Sequence, residues 1–193
     1  MTDRGEDVVD AAVRVVLRYG VKRTTMNDIA AEAGIARQTL YTVFSNKDEV
    51  LRTTIRLFAD RSLAAIEAEA AEVDTLGERL DIVFAHMVVR PFEMLRASPD
   101  ADDIISGFNQ AGRDELSIAN ERYAAAIEGI LAPFDERIAA SGMNVRQLAD
   151  FVRTSAKGFK HDARDKAQLS ELLASLKALV LAVAEPATEQ ARV

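Results

Sequence analysis

At 193 residues the chain is long enough for a small domain joined to a larger one, and it can bury an apolar core without disulfides. It contains no cysteine, which excludes a disulfide framework and any thiolate metal or catalytic site. The formal net charge is -7, which excludes a uniformly basic protein, but the charge is unevenly placed. Residues 14–47 carry six basic and two acidic side chains, whereas residues 61–193 carry 22 acidic and 15 basic ones.

The composition predicts an all-α protein. Alanine, leucine, glutamate and arginine dominate, glycine and proline are scarce, and the β-branched residues fall within helical periods. The N-terminus MTDRGEDVVD is acidic and lacks the basic and then apolar segments of a signal peptide. No apolar run approaches the roughly 18 residues of a membrane span. We therefore expect a cytoplasmic protein that does not associate with a membrane.

The first three predicted helices are short and lie close together in the chain. Apolar residues recur at three- and four-residue intervals over residues 6–19, and a glycine follows them. Thr25 stands three residues before Asp28, the spacing of a capping box, and predicts the start of a second helix. That helix ends at Gly34, a residue suited to the left-handed conformation of a tight turn. The third helix is predicted over residues 36–44.

Longer helices are predicted in the rest of the chain. Ser45 and Asp48 repeat the capping spacing and predict a fourth helix that runs to about Glu72. A fifth helix over 76–95 should kink or end near Pro91, because proline cannot donate the intrahelical hydrogen bond. The elements predicted beyond it are a loop at 96–103, helices at 103–109 and 114–131, a break at Pro133, two helices capped by Asn144 with Gln147 and by Asp165 with Gln168, and a frayed tail after Glu185.

Residues 25–44 have the organisation of a helix-turn-helix, since two short helices around Gly34 are backed by an amphipathic first helix. The segment TTMNDIAAEAGIARQTLYTVFSNKDEVL resembles the signature of the TetR family of bacterial transcriptional regulators (TetR/AcrR-like). The matching positions are Thr25, Ile29, Ala30, Ala33, Gly34, Ile35, Leu40, Tyr41, Phe44, Lys47 and Leu51. The resemblance covers about the first quarter of the chain. It implies a DNA-binding domain at residues 1–46 and a larger helical ligand-binding and dimerisation domain at residues 47–193.

The first turn of the third helix carries the side chains that we expect to read base edges in the major groove. Arg37 can donate a bidentate pair of hydrogen bonds to guanine, and Gln38 can pair with adenine. Thr39 can contact thymine through its methyl group, or a base or phosphate through its hydroxyl. Exposed Arg and Gln on a short helix are ordinarily just solvated, but these positions coincide with the family motif. Ala36 stands where relatives often have Ser or Thr, which removes a capping hydroxyl.

Other side chains are expected on the DNA backbone. Tyr41 and Thr42 are predicted to contact sugar or phosphate, although Tyr41 could also serve packing. Lys47 is predicted to bind a phosphate, because its ammonium stands beside a helix N-terminus. Thr24 and Thr25 are expected to clamp a further phosphate.

The resemblance implies that the larger domain binds a small effector and dimerises through its last two helices, about residues 145–184. A broad Leu and Val stripe on the last helix agrees with this, although the stripe could also close the protomer's own core. Bulky apolar residues with a few polar ones predict a cavity for a small apolar or aromatic effector. The expected lining residues are Phe84, His86, Met87, Arg90, Phe108, Tyr123, Phe151 and Ser155. His86 can alternatively be a hydrogen-bonded core histidine.

Nothing in the sequence supports catalysis, a metal site or a cofactor, because the chain has two separated histidines, no cysteine and no glycine-rich phosphate loop. The predicted function is a homodimeric DNA-binding transcriptional regulator. The resemblance implies a repressor that a small-molecule ligand releases from double-stranded operator DNA. The alternative is an activator or an architectural DNA-binding protein that uses the same helix-turn-helix without an effector.

Overall fold

The described residues, 3–99 and 108–185, form helices and no strand in a computed structural model. The α-helices among them are α1 (Asp3–Arg23), α2 (Met26–Glu32), α3 (Arg37–Val43), α4 (Lys47–Ala71), α5 (Leu76–Phe84), α6 (Arg90–Arg96), α7 (Gln110–Leu131), α8 (Asp135–Ala140), α9 (Val145–Asp162) and α10 (Lys166–Ala184). A π-helical segment, Ala85–Val89, connects α5 to α6, and a 3-10 segment, Ala132–Phe134, precedes α8. The all-α prediction is confirmed.

The helices form two compact units. The first comprises the described residues of Met1–Arg61 and Glu93–Ala119, and the second comprises those of Ser62–Phe92 and Asn120–Val193. The chain therefore passes between the units within α4, α6 and α7. The boundary predicted at residue 46 concerns functional domains and stays a prediction.

The first helix extends beyond its predicted end but is interrupted there. Gly20 adopts φ 78° and ψ 167°, a backbone conformation that is open to glycine and costly for other residues. After this kink α1 resumes, and it ends at Arg23. The side chain of Thr24 stabilises the break, because its hydroxyl donates a 2.7 Å hydrogen bond to the Gly20 carbonyl.

The turn between α2 and α3 forms as its glycine predicts. Gly34 has φ 67°, and its N–H donates to the Ala31 carbonyl at 3.1 Å. The N–H of Ile35 donates to the Ala30 carbonyl at 3.0 Å. These two bonds are those of a Schellman motif, which satisfies carbonyls that the end of α2 would otherwise leave free. A side chain at residue 34 would meet no atom within 4 Å, so the positive φ, and not crowding, requires glycine here.

The start of α4 lies one capping position later than predicted. Asn46, and not Ser45, accepts the capping bond, since its Oδ1 receives the Glu49 N–H at 2.9 Å. The Glu49 carboxylate in turn accepts from the Ser45 N–H at 2.7 Å. Asn and Ser cap helices about equally well, so spacing alone did not distinguish them. The predicted extent of this helix, to about residue 72, is confirmed.

The fifth predicted helix is divided before the proline that was expected to interrupt it. Residues Ala85–Val89 widen into a π-turn, in which the Arg90 N–H donates to the carbonyl of Ala85, five residues earlier. Pro91 explains the widening, because its ring would clash with the carbonyl four residues before it and it lacks an N–H to donate. The helix then resumes as α6.

The second half of the fold contains one helix that the sequence did not predict. A short α8 follows the break at Pro133. Helix α7 starts four residues earlier than expected, at Gln110, because Asn109 caps it by accepting the Gly112 N–H at 3.0 Å. Of the predicted helix 103–109, Phe108 and Asn109 are described and are not helical, and residues 103–107 lie outside the described ranges. Residues 100–102 of the predicted loop and the predicted tail after Glu185 also lie outside them.

Both final capping predictions are confirmed. The Asn144 side chain accepts the Gln147 N–H at 2.9 Å, and the Asp165 side chain accepts the Gln168 N–H at 2.9 Å. Buried faces of α9 and α10 complete the core of the second unit, together with α5, the π-segment and the second half of α7.

Helix α10 corrects the expectation that no apolar run approaches the length of a membrane span. Lys166–Ala184 has 19 residues and a mean hydropathy of 1.5 over its best 18-residue window, so length and composition alone would permit a span. A core helix passes the same test, and Leu169, Leu173, Leu176 and Val180 of α10 are buried in the second unit.

Candidate nucleic-acid interface

Helices α2 and α3 are held by a small apolar core inside the first unit. Ile29 and Leu40 are fully buried and Phe44 is nearly so, and they pack with Val8 and Val50 from the neighbouring helices. The helix-turn-helix is thereby fixed from behind, which leaves the opposite side of α3 to solvent.

We call Arg37, Gln38 and Thr39 the reading turn, since they form the first turn of α3. Arg37 and Gln38 are exposed and Thr39 is half-buried. Ala36 precedes them with an extended backbone and provides no side-chain cap, in agreement with its chemistry. The structure thus presents the two side chains that were predicted to read guanine and adenine where a base edge could reach them.

The Arg37 side chain is already organised by its own helix. Its guanidinium carbon lies 5.4 Å from the centroid of the Tyr41 ring, and its Nη2 donates to the Tyr41 hydroxyl at 3.4 Å. Tyr41 is 42% exposed, so part of its side chain is open to solvent. The Thr42 side chain is also exposed, and its hydroxyl donates to the Thr39 carbonyl at 2.7 Å.

The Lys47 ammonium, predicted to bind a phosphate, contacts backbone carbonyls at the end of α1. It donates to the Val21 carbonyl at 3.1 Å and lies 3.5 Å from the Lys22 carbonyl. These carbonyls end α1, where a positive charge is favourable because of the helix dipole. Lys47 therefore caps α1 and joins it to the start of α4, and a phosphate would have to share this ammonium.

The two predicted threonine clamps are used inside the protein. Thr24 is only 1% exposed and its hydroxyl donates to the Gly20 carbonyl, so its side chain is enclosed by the protein. Thr25 is exposed, but its hydroxyl donates to the Asp28 carboxylate at 2.6 Å and accepts the Asp28 N–H at 3.2 Å. The Asp28 carboxylate also repels a phosphate at this point. We therefore leave both threonine side chains out of the proposed interface.

Part of the local positive charge is neutralised within the first unit. Arg14 and Arg18 of α1 contact the Glu32 carboxylate of α2, at 2.7 Å and 3.1 Å. The hydrogen bond from Arg14 holds the pKa of Glu32 below its ordinary value, with Arg18 acting in the same direction. These two arginines therefore fix α1 against α2.

The eight residues predicted to line an effector cavity do not form one site. Phe84, Met87 and Tyr123 are buried in the core of the second unit, where burial raises the pKa of the Tyr123 hydroxyl. Phe108 belongs to the first unit and packs near Val16 and Leu51.

The other members of that set lie on α9 and at or next to the π-helical segment. Phe151 is 51% exposed and Ser155 is half-buried on α9. His86 is 3% exposed, with Nε2 2.9 Å from Glu69 and Nδ1 2.8 Å from the Arg90 guanidinium. Both ring nitrogens are therefore occupied, as expected for a hydrogen-bonded core histidine.

A different set of residues lines a groove in the second unit. It has a volume of about 460 Å³ and runs between α4 and α7, with the start of α5 at one end. The lining residues of this ligand groove are Leu63, Ile66, Glu67, Ala70, Ala71, Arg79, Ala126, Gly129 and Ile130. The surface is mainly apolar, and its charged members are Glu67 and Arg79. Small residues on facing helices were the sequence signal for this groove, but their facing could not be known without the fold.

One end of the ligand groove is polar. The Arg79 guanidinium donates to the Val73 carbonyl through Nε and Nη2, at 3.3 Å and 3.2 Å, which leaves Nη1 for another acceptor. At Gly129, an added Cβ would meet no atom within 4 Å, so the groove has open space beside α7.

Comparisons with known proteins find a likeness to tetR-family regulators in the N-terminal region. Residues 8–54 match the model of bacterial regulatory proteins of the tetR family. The nicotine-responsive transcriptional repressor HdnoR from Paenarthrobacter nicotinovorans is 30% identical over 90 residues, which are 45% of this chain and 46% of that protein. The chain thus spans about half the length of this curated relative.

Solved structures extend the likeness to the whole fold. A TetR transcription regulator from Haloarcula marismortui superposes with a TM-score of 0.73 at 17% identity, covering 92% of this chain and 96% of that one. The transcriptional regulator FadR from Bacillus subtilis, in complex with stearoyl-CoA, gives a TM-score of 0.68 at 22% identity, covering 92% and 97%. The N-terminal region, residues 8–54, is thus similar to the TetR family of bacterial regulatory proteins, and the described residues share the all-helical fold of these solved regulators.

Proposed function

We propose that this protein is a DNA-binding transcriptional regulator, acting as a repressor that a small-molecule ligand releases from its operator. One observation carries the proposal: Arg37 and Gln38 of the reading turn are exposed on a helix whose opposite face is anchored by fully buried Ile29 and Leu40. This arrangement lets a rigid helix enter the major groove with Arg37 and Gln38 leading. Relatives named as repressors and regulators favour this function over an enzymatic one. Its expected compartment is the cytoplasm.

The proposed contacts divide by chemistry. Arg37, Gln38 and Thr39 read base edges, and Tyr41 and Thr42 touch the DNA backbone. Lys47 binds a phosphate while its ammonium also keeps its hydrogen bonds to the carbonyls at the end of α1. Base-reading residues determine which sequence is bound, whereas backbone contacts strengthen binding to any sequence.

DNA binding is tested by a mobility-shift assay with the DNA that flanks the protein's own coding sequence. We expect a discrete complex that survives excess unrelated duplex, because base contacts distinguish the operator from competitors. Arg37→Ala should lower affinity for the bound fragment by about tenfold or more while changing affinity for unrelated DNA little. Equal losses on both DNAs would remove Arg37 from base reading, and the absence of any sequence-specific complex would overturn the proposed function.

Repression is tested by locating the bound site. Overlap with a promoter, and increased transcription when the gene is deleted, are the expected results. A site upstream of the promoter with reduced transcription after deletion would instead identify an activator.

We further propose that the chain acts as a homodimer through α9 and α10, about residues 145–184. Both helices expose a large apolar side chain, since Phe151 on α9 is 51% exposed and Leu179 on α10 is 61% exposed. A second copy would cover these apolar side chains in a four-helix interface. The two helix-turn-helix motifs of one dimer would also read the two half-sites of a palindrome.

The effector is proposed to be a small apolar or aromatic molecule that binds in the ligand groove. The apolar walls accommodate such a body, and the remaining N–H groups of Arg79 offer a polar anchor. The relative named as nicotine-responsive and the structural neighbour solved with stearoyl-CoA support the existence of an effector.

Gly129 provides a sharp test of the groove. Gly129→Leu would place a side chain into open space, and leucine is also the better helix former, so the variant should fold. In a thermal-shift screen of aromatic amines and fatty acyl thioesters, a ligand that stabilises the natural protein should lose its effect on this variant. Gly129→Ala is the matched control and should retain binding. An unchanged shift with Gly129→Leu would place the effector elsewhere.

A further inference from the structure

We propose that the Tyr41 ring positions the Arg37 guanidinium, so that Tyr41 helps to set operator specificity without itself reading a base. This inference rests on the proposed DNA-binding function and concerns the same interface. It departs from the expectation that Tyr41 serves only as a contact to the DNA backbone.

The geometry places the two side chains on one face of α3. Residues four apart are neighbours on a helix surface, and here the guanidinium lies 5.4 Å from the ring centroid. A cation over the face of an aromatic ring is attracted by its negative electron density. The 3.4 Å hydrogen bond from Nη2 to the Tyr41 hydroxyl adds a second point of attachment. Stack and hydrogen bond together restrict a side chain that would otherwise move freely in solvent.

Such restriction matters for reading guanine. Two parallel N–H groups must meet the O6 and N7 acceptors, so the guanidinium plane has to be fixed as well as its position. Arginine has five N–H donors, and the bond to Tyr41 uses one of them. Enough donors remain to form the bidentate pair. An arginine that is already oriented also loses less conformational freedom when it binds.

A second arginine stacked on tyrosine shows why this pair differs. Arg18 lies 5.7 Å from the Tyr19 ring centroid, but it also contacts the Glu32 carboxylate at 3.1 Å. That carboxylate competes for the guanidinium. Within the described part of the chain, the Arg37 guanidinium contacts Tyr41 and no carboxylate. Its charge is therefore available to an acceptor on DNA.

Tyr19 supplies a matched control, because it is 42% exposed, as is Tyr41. The experiment selects bound sequences from a library of randomised DNA duplexes, using the full-length natural protein and the variants Arg37→Ala, Tyr41→Phe, Tyr41→Leu and Tyr19→Leu. Melting temperatures establish that each variant is folded. Affinity for the selected consensus and for its single-base substitutions then gives the discrimination at each position.

We expect Arg37→Ala to abolish a guanine preference at one position of each half-site. Tyr41→Leu should weaken discrimination at that same position by about two- to fivefold, the equivalent of an exposed cation–π contact. Tyr41→Phe keeps the ring and should keep the preference, even if loss of the hydroxyl lowers affinity for all sequences. Tyr19→Leu should leave the selected sequence unchanged. In the Arg37→Ala background, Tyr41→Leu should no longer affect discrimination.

Two results would overturn the inference. If Tyr41→Leu lowers affinity equally for every sequence, Tyr41 contacts only the DNA backbone. If its effect on discrimination persists without Arg37, Tyr41 acts independently of that residue. A natural protein that enriches no sequence would instead refute the proposed function, and the inference with it.

Discussion

At the scale of single residues, the side chains predicted to contact DNA differ in how far they are already bound within the protein. Arg37 and Gln38 are exposed, whereas the Thr24 side chain is buried and bonded to the backbone. Lys47 lies between these cases, because its ammonium contacts the last carbonyls of α1. Sequence spacing located all four positions but could not reveal these internal partners, which arise from tertiary packing.

The Lys47 contact predicts a loss of stability that needs no DNA. Lys47→Met keeps much of the aliphatic chain and removes the charge, so we expect the free energy of unfolding to fall by about 0.5–1 kcal/mol. Urea unfolding of the DNA-free protein measures this. Lys157→Met, on the exposed side of α9, is the control and should change stability little. An unaltered unfolding curve for Lys47→Met would show that the α1 cap contributes nothing.

Glu32 makes the stability of the first unit depend on pH. Its folded pKa lies below the ordinary 4.5, chiefly because Arg14 donates a hydrogen bond to it. The stabilisation is therefore complete above pH 4.5 and is lost as pH falls through the lower folded value. We expect Glu32→Gln to reduce the urea midpoint at neutral pH, and the difference from the natural protein should shrink toward pH 3. A difference that is constant with pH would contradict this, and Glu171→Gln serves as an exposed control.

At the scale of helices, capping spacings predicted three helix starts correctly, whereas features that depend on tertiary packing were not predicted. Thr25, Asn144 and Asp165 cap their helices as the spacing indicated, because a capping bond involves residues only three apart. The interruption predicted near Pro91 is present, but its π-helical form was not predicted, since proline's effect depends on how the surrounding packing absorbs it. The lining of the ligand groove was missed for a similar reason, because it depends on which faces of α4 and α7 meet.

A paired contact between helices within the first unit can be tested directly. The Arg56 guanidinium on α4 donates two hydrogen bonds to the Glu115 carboxylate on α7, at 3.0 Å and 2.9 Å. Glu115 is buried, whereas the Arg56 side chain is 57% exposed, which weakens the pair through solvent screening. A double-mutant cycle with Arg56→Met and Glu115→Gln should give a coupling of about 0.5–1 kcal/mol in urea unfolding. Strict additivity of the two changes would show that the pair adds no stability.

At the scale of the whole molecule, the exposed apolar side chains of Phe151 on α9 and Leu179 on α10 predict the oligomeric state. The protomer has a mass of 21.1 kDa, and we expect light scattering after size exclusion to give twice that value. Phe151→Glu combined with Leu179→Glu should produce a folded monomer, because both side chains are exposed within the protomer and burying a carboxylate at an interface is costly. Ala140→Glu, on the exposed side of α8, is the control. A monomeric natural protein at micromolar concentration would contradict the proposed dimer.

The division of the chain into compact units has a consequence for exchanging DNA-binding modules between related regulators. The unit that contains the helix-turn-helix is discontinuous, since Glu93–Ala119 belongs to it. Leu95 and Phe108 pack near Val16 and Leu51, and the Ser98 hydroxyl donates to the Leu17 carbonyl at 2.6 Å. A graft limited to the N-terminal residues would leave that apolar patch uncovered and that carbonyl without its donor. A hybrid regulator that is to fold well should therefore inherit both segments from the same parent.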